Sequence, residues 1–318
     1  MGGVAVLTPR SPGPERGDRD RRDAVELTAR SLRIDRVTGE VVGALRDAGI
    51  PSLLIKGPVL ARRLYDDGAS RPYLDSDLLV DPRQFAAAEQ LLIARGFEQI
   101  GDGERVLPEW ARHGHTLMRP REGICVELHW RLMHYGAPPQ RVWEAFTGNS
   151  ARLTVGGVLV DVPADPPLAL HTAVHVAEHG AMPSPAEDLS RALDRFPLEV
   201  WLAAAELARA LDATSALAAG LWLLEDGRPM AEALGLGREG VASFSLERVS
   251  RAEGWRAKAR LALGIAFPGP EHMRSFNKPL ARFGTPGLAA AYAWRPIELG
   301  ARIPPTLIAR RRARRSRG

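Results

Sequence analysis

Apolar residues in the first half of the chain follow helical and strand-like spacing in turn, which predicts alternating helices and strands. The predicted helices cover Asp23–Asp47, Pro58–Tyr65 and a segment from Asp81 to a stop at Gly96. The predicted strands between them cover Ser52–Ile55 and Asp77–Val80. Two hairpins follow, one of residues 115–119 and 124–130 and one over residues 151–163. Gly39 is the weak point of the first helix, because glycine disfavours a helix interior.

Long alanine- and leucine-rich stretches with helical spacing follow Pro166. They predict helices over residues 168–180, 187–196, 199–211, 215–224 and 251–267. This change predicts an α+β protein, with a domain of residues 23–165 built on a sheet and a mostly α-helical domain of residues 166–305. Residues 1–22 and a basic tail of residues 306–318 are expected to be disordered.

Composition is that of an ordinary water-soluble protein, with 45% hydrophobic and 25% charged residues among 318. No apolar run approaches the about 18 residues that a membrane-spanning helix needs, and the N-terminus lacks the apolar core of a signal peptide. A cytoplasmic location is therefore expected. The single cysteine, Cys125, excludes an internal disulfide framework and any cysteine-cluster metal site.

The net charge of +5 comes from the end of the chain, because the last nine residues contain six arginines and the rest carries −1. Such a tail is either a solvated segment or a weak contact for nucleic acid or an anionic membrane. A near-neutral body argues against a long nucleic acid as the main partner, since following a nucleic-acid backbone requires a basic groove.

Two carboxylates lie in a segment that otherwise has the apolar pattern of a buried strand. Asp75 and Asp77 share one face of this strand, with Cα atoms roughly 6.5–7 Å apart, and Ser76 points the other way. A third acid, Glu127, has the same parity as Cys125 and His129 in the predicted strand of residues 124–130. Such acids can converge on divalent cations, and oxygen ligands favour Mg²⁺ or Mn²⁺ over zinc. The alternative for an isolated Asp-x-Asp pair is a cap at the start of a strand.

Candidate phosphate-binding residues precede the acidic pair. Lys56 and Gly57 lie between a strand and a helix N-terminus, where glycine lets a phosphate approach the backbone and the helix N–H groups favour an anion. Arg71, four residues before Asp75, offers a planar fork for phosphate. The alternative is that Lys56 is simply solvated and that Arg71 pairs with Asp66 or Asp67.

The motifs "LLIKG", "LYDDGASRPYLDSDLLV" and "VELHWRL" together resemble a largely uncharacterised bacterial family of the DNA-polymerase-β-type nucleotidyltransferases. The resemblance covers residues 25–200, with the specific motifs in residues 53–80 and 124–132. Pro58 stands where the wider superfamily often has a serine, so one phosphate-binding hydroxyl is missing. The resemblance implies a polymerase-β-like core, a mixed sheet with helices, followed by the helical domain.

The activity implied by this resemblance is transfer of a nucleoside monophosphate from a nucleoside triphosphate to an acceptor hydroxyl, with release of pyrophosphate. Asp75, Asp77 and Glu127 would hold two Mg²⁺ (or Mn²⁺) ions, and Glu127 would favour deprotonation of the acceptor hydroxyl. Lys56, Gly57 and Arg71 would position the phosphates. The acceptor, a small molecule or a peptide or protein, is not indicated.

Four histidines stand out in the sequence, and two of them, His129 and His175, are possible accessory residues. His171, His175 and His179 recur every four residues on one face of a predicted helix. The outer two are about 12 Å apart along the axis, too far to share one zinc ion with the third. The open alternatives are a polar stripe, zinc bound by two histidines and a remote acid, and contact with the acceptor, for which His175 is a candidate. His129 either assists at the metal site or is a core histidine.

Two other functions fit the same residues less well. One is a metal-dependent glycosyltransferase that binds a nucleotide-sugar through Asp-x-Asp, although that fold normally places a longer nucleotide-binding region before the pair. The other is a non-catalytic nucleotide-binding module. The intact set of acidic residues argues against this function, and the missing serine argues for it.

Overall fold

The computed structural model describes residues 14–67, 71–100, 113–180, 182–237 and 254–267, together with residues 270, 273 and 283–295. The contacts divide the chain into two compact units that interleave along the sequence. The first unit comprises Met1–Glu104, Gly114–His129 and Ala151–Val162, and the second comprises Arg105–His113, Trp130–Ser150 and Pro163–Gly318. The domain limits inferred from the sequence, with one boundary after residue 165, remain a prediction.

The first unit contains a mixed five-stranded sheet. Its strands are β1 (Ser52–Leu54), β2 (Asp75–Val80), β3 (Glu98–Gln99), β4 (Gly114–Arg119) and β5 (Ile124–His129), in the order β1-β2-β5-β4-β3. The central pair β2 and β5 is parallel, and the other neighbours are antiparallel. The predicted hairpin of residues 115–119 and 124–130 is confirmed as β4 and β5. Strand β2 begins two residues earlier than predicted, at Asp75.

Three helices and a hairpin complete the first unit. The helices are α1 (Pro14–Asp47), α2 (Pro58–Leu64) and α3 (Phe85–Ala94), and the hairpin consists of β6 (Ala151–Val155) and β7 (Val158–Val162). The hairpin predicted around residues 156 and 157 is thereby confirmed. Helix α1 begins within the segment for which the sequence predicts disorder, and residues 1–13 lie outside the described residues.

Apolar side chains from these elements form the core of the first unit. Residues 76–80 of β2 are buried, and Val126 and Leu128 of β5 are fully buried on one face of that strand. Helix α1 contributes a buried stripe that contains Ile34, Val37, Val41 and Leu45. Burial of both faces of the central strands explains why β2 is almost continuously apolar after its acidic start.

Helices are the regular secondary structure of the second unit in its described residues. Its helices are α4 (Pro139–Thr147), α5 (Asp165–His179), α6 (Pro183–Arg195), α7 (Leu198–Ala210), α8 (Thr214–Leu223), α9 (Gly227–Ala233), α10 (Gly254–Ala266) and a last helical segment of residues 284–295. Helix α5 is central, because α6, α7 and α8 all pack against it. The five helices predicted after residue 166 are confirmed, whereas α4, α9 and the last helical segment of residues 284–295 were not predicted. The arginine-rich tail lies outside the described residues.

No helix in the described part of the chain is both long and apolar enough to cross a membrane.

Packing against the hairpin explains the glycine at position 39 in the interior of α1. At Gly39, an added Cβ would lie 2.9 Å from the carbonyl oxygen of Val155 and 3.2 Å from a methyl group of Val158. A side chain at this position would therefore push α1 away from the hairpin. One turn later, a Cβ at Gly43 would meet no atom within 4 Å.

This difference makes the two glycines a matched pair for a stability measurement. Gly39→Ala should lower the free energy of unfolding by about 1–2 kcal/mol, because the overpacking penalty exceeds the gain in helix propensity. Gly43→Ala should raise it by about 0.5–1 kcal/mol, because only the propensity changes. Urea denaturation followed by circular dichroism measures both. Equal effects of the two substitutions would contradict the packing explanation.

Candidate functional site

The Lys56-Gly57 turn joins edge strand β1 to α2. Gly57 has φ 61° and ψ −111°, a left-handed conformation that residues with a side chain rarely adopt. A Cβ at this position would also lie 2.8 Å from the carbonyl oxygen of Asp75. Glycine therefore allows the turn to pass directly against the start of β2, and Lys56 lies beside the acids of that strand.

The register of the two central strands brings the predicted acids together. Asp77 is aligned with Glu127, Asp75 with Cys125, and Leu79 with His129 in the parallel pair β2 and β5. Aligned residues of neighbouring strands project from the same face of a sheet. The sheet thus carries Asp75, Asp77, Glu127 and His129 on one face.

Three of these side chains form a compact cluster. The Nε2 atom of His129 lies 3.2 Å from Oδ1 of Asp77 and 3.6 Å from Oε2 of Glu127. One ligand atom from each of the three lies within 4.8 Å of the others. The predicted metal ligand Asp75 is on the same face but is not a member of this close set. Two carboxylate oxygens and one imidazole nitrogen at these distances form a candidate site for a divalent metal ion.

Lys56 contributes positive charge to the same cluster. Its Nζ atom lies 3.1 Å from Oδ1 of Asp77, the oxygen that also faces His129. Burial by itself would raise the pKa of Asp77, but the charge of Lys56 and the hydrogen bond and charge of His129 outweigh it, and the pKa lies well below its usual range. Asp77 is therefore held as a carboxylate despite being only 4% exposed.

The other two acids are shifted in the opposite direction. Burial raises the pKa of Asp75, and the negative charge of Asp77 raises it further. The pKa of Glu127 is likewise raised by burial and then by Asp77. Both shifts arise because the ionised forms are desolvated and repel each other, which is the condition that a bound cation relieves.

Arg71 lies at the edge of the Lys56-Gly57 turn. Its side chain is largely buried, with 8% of the residue exposed, and its Nη1 atom donates to the carbonyl oxygen of Gly57 at 3.4 Å. The structure thus brings Arg71 to the turn that also carries Lys56. Two cationic side chains and a glycine turn lie next to three acids, an arrangement suited to a metal-complexed phosphate group.

A family model described as "uncharacterised nucleotidyltransferase" matches residues 19–226. The chain belongs to this family. The match covers the mixed sheet, its acidic cluster and helices α5–α8, and it confirms the predicted α+β nucleotidyltransferase core and the enzyme class. No curated protein is similar enough to count as a relative.

The solved structures that resemble this nucleotidyltransferase share little sequence with it, and their structural similarity is low. A solution structure of the antibiotic-resistance factor ANT(2'')-Ia is 13% identical, with a TM-score of 0.39, and the match covers 60% of this chain and 95% of that chain. A crystal structure of ANT(2")-Ia in complex with adenylyl-2"-tobramycin is also 13% identical, with a TM-score of 0.39 and coverage of 55% and 97%. An antigenic nucleotidyltransferase-like protein from Paracoccidioides brasiliensis is 19% identical, with a TM-score of 0.36 and coverage of 58% and 91%.

A buried polar network of the nucleotidyltransferase holds the segment that enters β2. The hydroxyl of Tyr73 donates to Oδ1 of Asp35 in α1 at 2.6 Å, and Arg62 of α2 donates to the other oxygen of the same carboxylate. Tyr73 lies midway between Arg71 and Asp75 in the sequence, so this network anchors the backbone between the two. Asp35 and Tyr73 are both buried.

Sequence reasoning did not identify the members of this network. The available signal was a charged residue, Asp35, between Ile34 and Val37 on the apolar side of the first helix. A carboxylate at such a position requires a partner. That partner could not be named from the sequence, because Arg62 and Tyr73 are 27 and 38 residues away.

The histidine ladder, which consists of His171, His175 and His179, lies on α5 in the second unit. The rings of His171 and His175 are stacked with centroids 6.4 Å apart, and those of His175 and His179 are 4.5 Å apart. Glu178 lies between His134 and His179, with N···O distances of 3.8 and 3.9 Å. Among the described residues, three or more ligand atoms converge only at Asp77, Glu127 and His129. The ladder is not part of such a cluster within the described residues, and a role for His175 stays a prediction.

The Asp35–Tyr73 contact predicts a stability change at alkaline pH. Burial, followed by the hydrogen bond to Asp35, raises the pKa of Tyr73 from 10.0 to about 12. Stabilisation from the protonated phenol should therefore be complete below pH of about 10, the pKa of an unfolded tyrosine, and be lost as the pH rises through about 12. Tyr73→Phe should lower the free energy of unfolding by about 1 kcal/mol at pH 8 and should weaken its decline above pH 10.

Urea denaturation of both proteins between pH 8 and pH 11 measures this difference. Parallel pH profiles for the two proteins would show that Tyr73 titrates normally and that the contact with Asp35 does not anchor the segment.

Proposed function

We propose that the protein transfers a nucleoside monophosphate from a nucleoside triphosphate to an acceptor hydroxyl and releases pyrophosphate. The observation that carries the proposal is the alignment of Asp77 with Glu127 on one face of the parallel pair β2 and β5. Lys56, Gly57 and Arg71 lie at the same end of the sheet and supply the positive charge and the open backbone that a triphosphate requires.

The donor set fits a divalent metal ion. Asp77 is a buried carboxylate whose pKa lies well below its usual range, and Asp75 and Glu127 have raised pKa values because they are buried and because negative charge is crowded on this face. Asp75, Asp77 and Glu127 would hold Mg²⁺ or Mn²⁺, in a two-metal arrangement. When bound, such ions stabilise the charge that develops on the transferring phosphoryl group and make the acceptor hydroxyl more acidic.

The remaining residues of the site would position the substrate. Gly57 lets the turn pack directly against the start of β2, and phosphate oxygens would lie against the backbone of that turn. Lys56 and Arg71 would neutralise the β- and γ-phosphates, and Arg71 offers two parallel donors. The acceptor oxygen attacks the α-phosphorus, the bond to the bridging oxygen of the β-phosphate breaks, and the electron pair leaves with pyrophosphate. Glu127, with its raised pKa, is better suited than an ordinary carboxylate to accept the hydroxyl proton.

The substrates proposed are a nucleoside triphosphate and a hydroxyl-bearing acceptor, either a small molecule or a peptide or protein. The near-neutral charge outside the arginine-rich tail disfavours a long nucleic acid in that role.

Replacement of Asp77 tests the central assignment. Asp77→Asn should abolish metal-dependent pyrophosphate release, because an amide cannot supply the charge that the ion requires. The control is Asp161→Asn, a substitution on β7 at a partly exposed side chain that faces Arg152. The assay incubates the protein with Mg²⁺, each of the four α-labelled nucleoside triphosphates, and separated small-molecule and protein fractions of a bacterial lysate.

The same assay, repeated with nucleotide-sugars and combined with a nucleotide-binding measurement, distinguishes the competing functions. Nucleotide binding without turnover would leave a binding module, and preferential cleavage of a nucleotide-sugar would favour a glycosyltransferase. Full pyrophosphate release by Asp77→Asn would remove the proposed role of this residue.

Replacement of Arg71 tests the phosphate assignment. Arg71→Gln should raise the KM for the nucleoside triphosphate by about 10- to 100-fold, the range expected for loss of a hydrogen bond to a charged group. Arg71→Lys should recover only part of this loss, because lysine lacks the planar fork. The control is Arg83→Gln, which removes an exposed arginine paired with Asp81 just after β2. An unchanged KM in a folded Arg71→Gln protein would exclude Arg71 from phosphate binding.

A further inference from the structure

We infer that His129 is a direct metal ligand and that the cluster of Asp77, Glu127 and His129 selects a divalent transition-metal ion such as Mn²⁺ over Mg²⁺. The inference deepens the proposed function, on which it rests, because it names the kind of ion that the same site takes. Asp75, which the sequence grouped with the metal ligands, is not part of this cluster.

The distances from the imidazole of His129 to the two carboxylates are close to those between ligands of a single ion. Ligand atoms about 2.1 Å from a metal lie roughly 3.0 Å apart at the 90° angles of an octahedron and roughly 3.4 Å apart at tetrahedral angles. The Nε2 atom of His129 lies 3.2 Å from Asp77 and 3.6 Å from Glu127. The first value lies within that range and the second just above it, and all three ligand atoms lie within 4.8 Å of one another. The imidazole is therefore placed to share an ion with the two carboxylates.

The sheet explains why the imidazole is held in this position. His129 follows Glu127 by two residues on β5 and so projects from the same face, while Asp77 comes from the adjacent strand. On the other side of β5, Gly114 is aligned with His129. A Cβ at Gly114 would lie 2.8 Å from Nδ1 of His129 and 2.5 Å from the carbonyl oxygen of Leu128. The missing side chain leaves room for the ring at the position from which Nε2 faces the acids.

Burial of His129 keeps its imidazole in place within the site. His129 and Asp77 are each 4% exposed, whereas the side chain of Glu127 is 34% exposed. The cluster is therefore enclosed on the side of His129 and open on the side of Glu127, where water or substrate can complete the coordination. Imidazole nitrogen suits transition-metal ions, and Mg²⁺ is bound almost exclusively through oxygen.

Electron paramagnetic resonance of the full-length protein with MnCl₂ tests this inference. Titration of the free Mn²⁺ signal gives the affinity, and competition with MgCl₂ gives the selectivity. Electron spin echo modulation then reports whether a ¹⁴N nucleus is bonded to the ion. The wild-type protein should bind Mn²⁺ in preference to Mg²⁺ and should show the modulation of a directly bound imidazole.

Two glutamine substitutions test which residue supplies the nitrogen bonded to the ion. His129→Gln should lose the ¹⁴N modulation and bind Mn²⁺ about 10- to 100-fold more weakly, with a change of about threefold or less for Mg²⁺. The matched control is His115→Gln on the neighbouring strand β4. His115 packs against Phe85 and contacts Glu89 of α3, and its substitution should leave the modulation unchanged. Circular dichroism verifies that both variants are folded.

Absence of ¹⁴N modulation in the wild-type protein, or its persistence in His129→Gln, would overturn the assignment. Nucleotide transfer is a separate readout. If the protein transfers nucleotide with Mg²⁺ and its bound Mn²⁺ shows no nitrogen, the inference is wrong and the proposed function stands. If Mn²⁺ is bonded to nitrogen but no nucleoside triphosphate is consumed, the metal site stands and the proposed function is wrong.

Discussion

Repulsion between carboxylates on one face of the central strand pair is the constraint on which the first unit depends. Asp77 and Glu127 are aligned across β2 and β5, and Asp75 projects from the same face two residues earlier. An isolated buried carboxylate costs several kcal/mol, and neighbouring like charges add to that cost. Lys56 and His129 compensate this charge at Asp77, while Asp75 and Glu127 retain raised pKa values. Part of the negative charge is therefore left for a cation to neutralise.

The surrounding structure positions the groups that compensate this charge. The left-handed turn at Gly57 brings Lys56 against the start of β2, and the missing side chain at Gly114 makes room for the ring of His129. The contact between Asp35 and Tyr73 attaches the segment before β2 to α1. A metal or phosphate site requires donors placed within a fraction of an ångström, and donors placed by strand register and a buried network meet that requirement better than donors on exposed loops.

Elements with a strong local signal were predicted correctly, and those without one were missed. The two hairpins carry alternating apolar positions and a glycine-containing turn, and helices α5–α8 carry long apolar stripes. Helix α4 begins at Pro139 and α9 at Gly227, and each is only two to three turns long, so the periodicity that reveals a helix is short. The apolar run of β2 begins only after Asp77, because Asp75 and Ser76 are polar. The run alone therefore places the strand start two residues late, although alternation through the acidic pair already puts Asp75 and Asp77 on one face.

The sequence by itself determined which side chains share a strand face, since alternation is a property of the local backbone. It placed Asp75 with Asp77, and Glu127 with His129, before any contact was known. Tertiary structure alone decided that these two strands are parallel neighbours, that Asp77 faces Glu127, and that His129 rather than Asp75 completes the close cluster. These facts depend on the pairing of segments about 50 residues apart, which results from the packing of the whole sheet and leaves no local trace in the sequence.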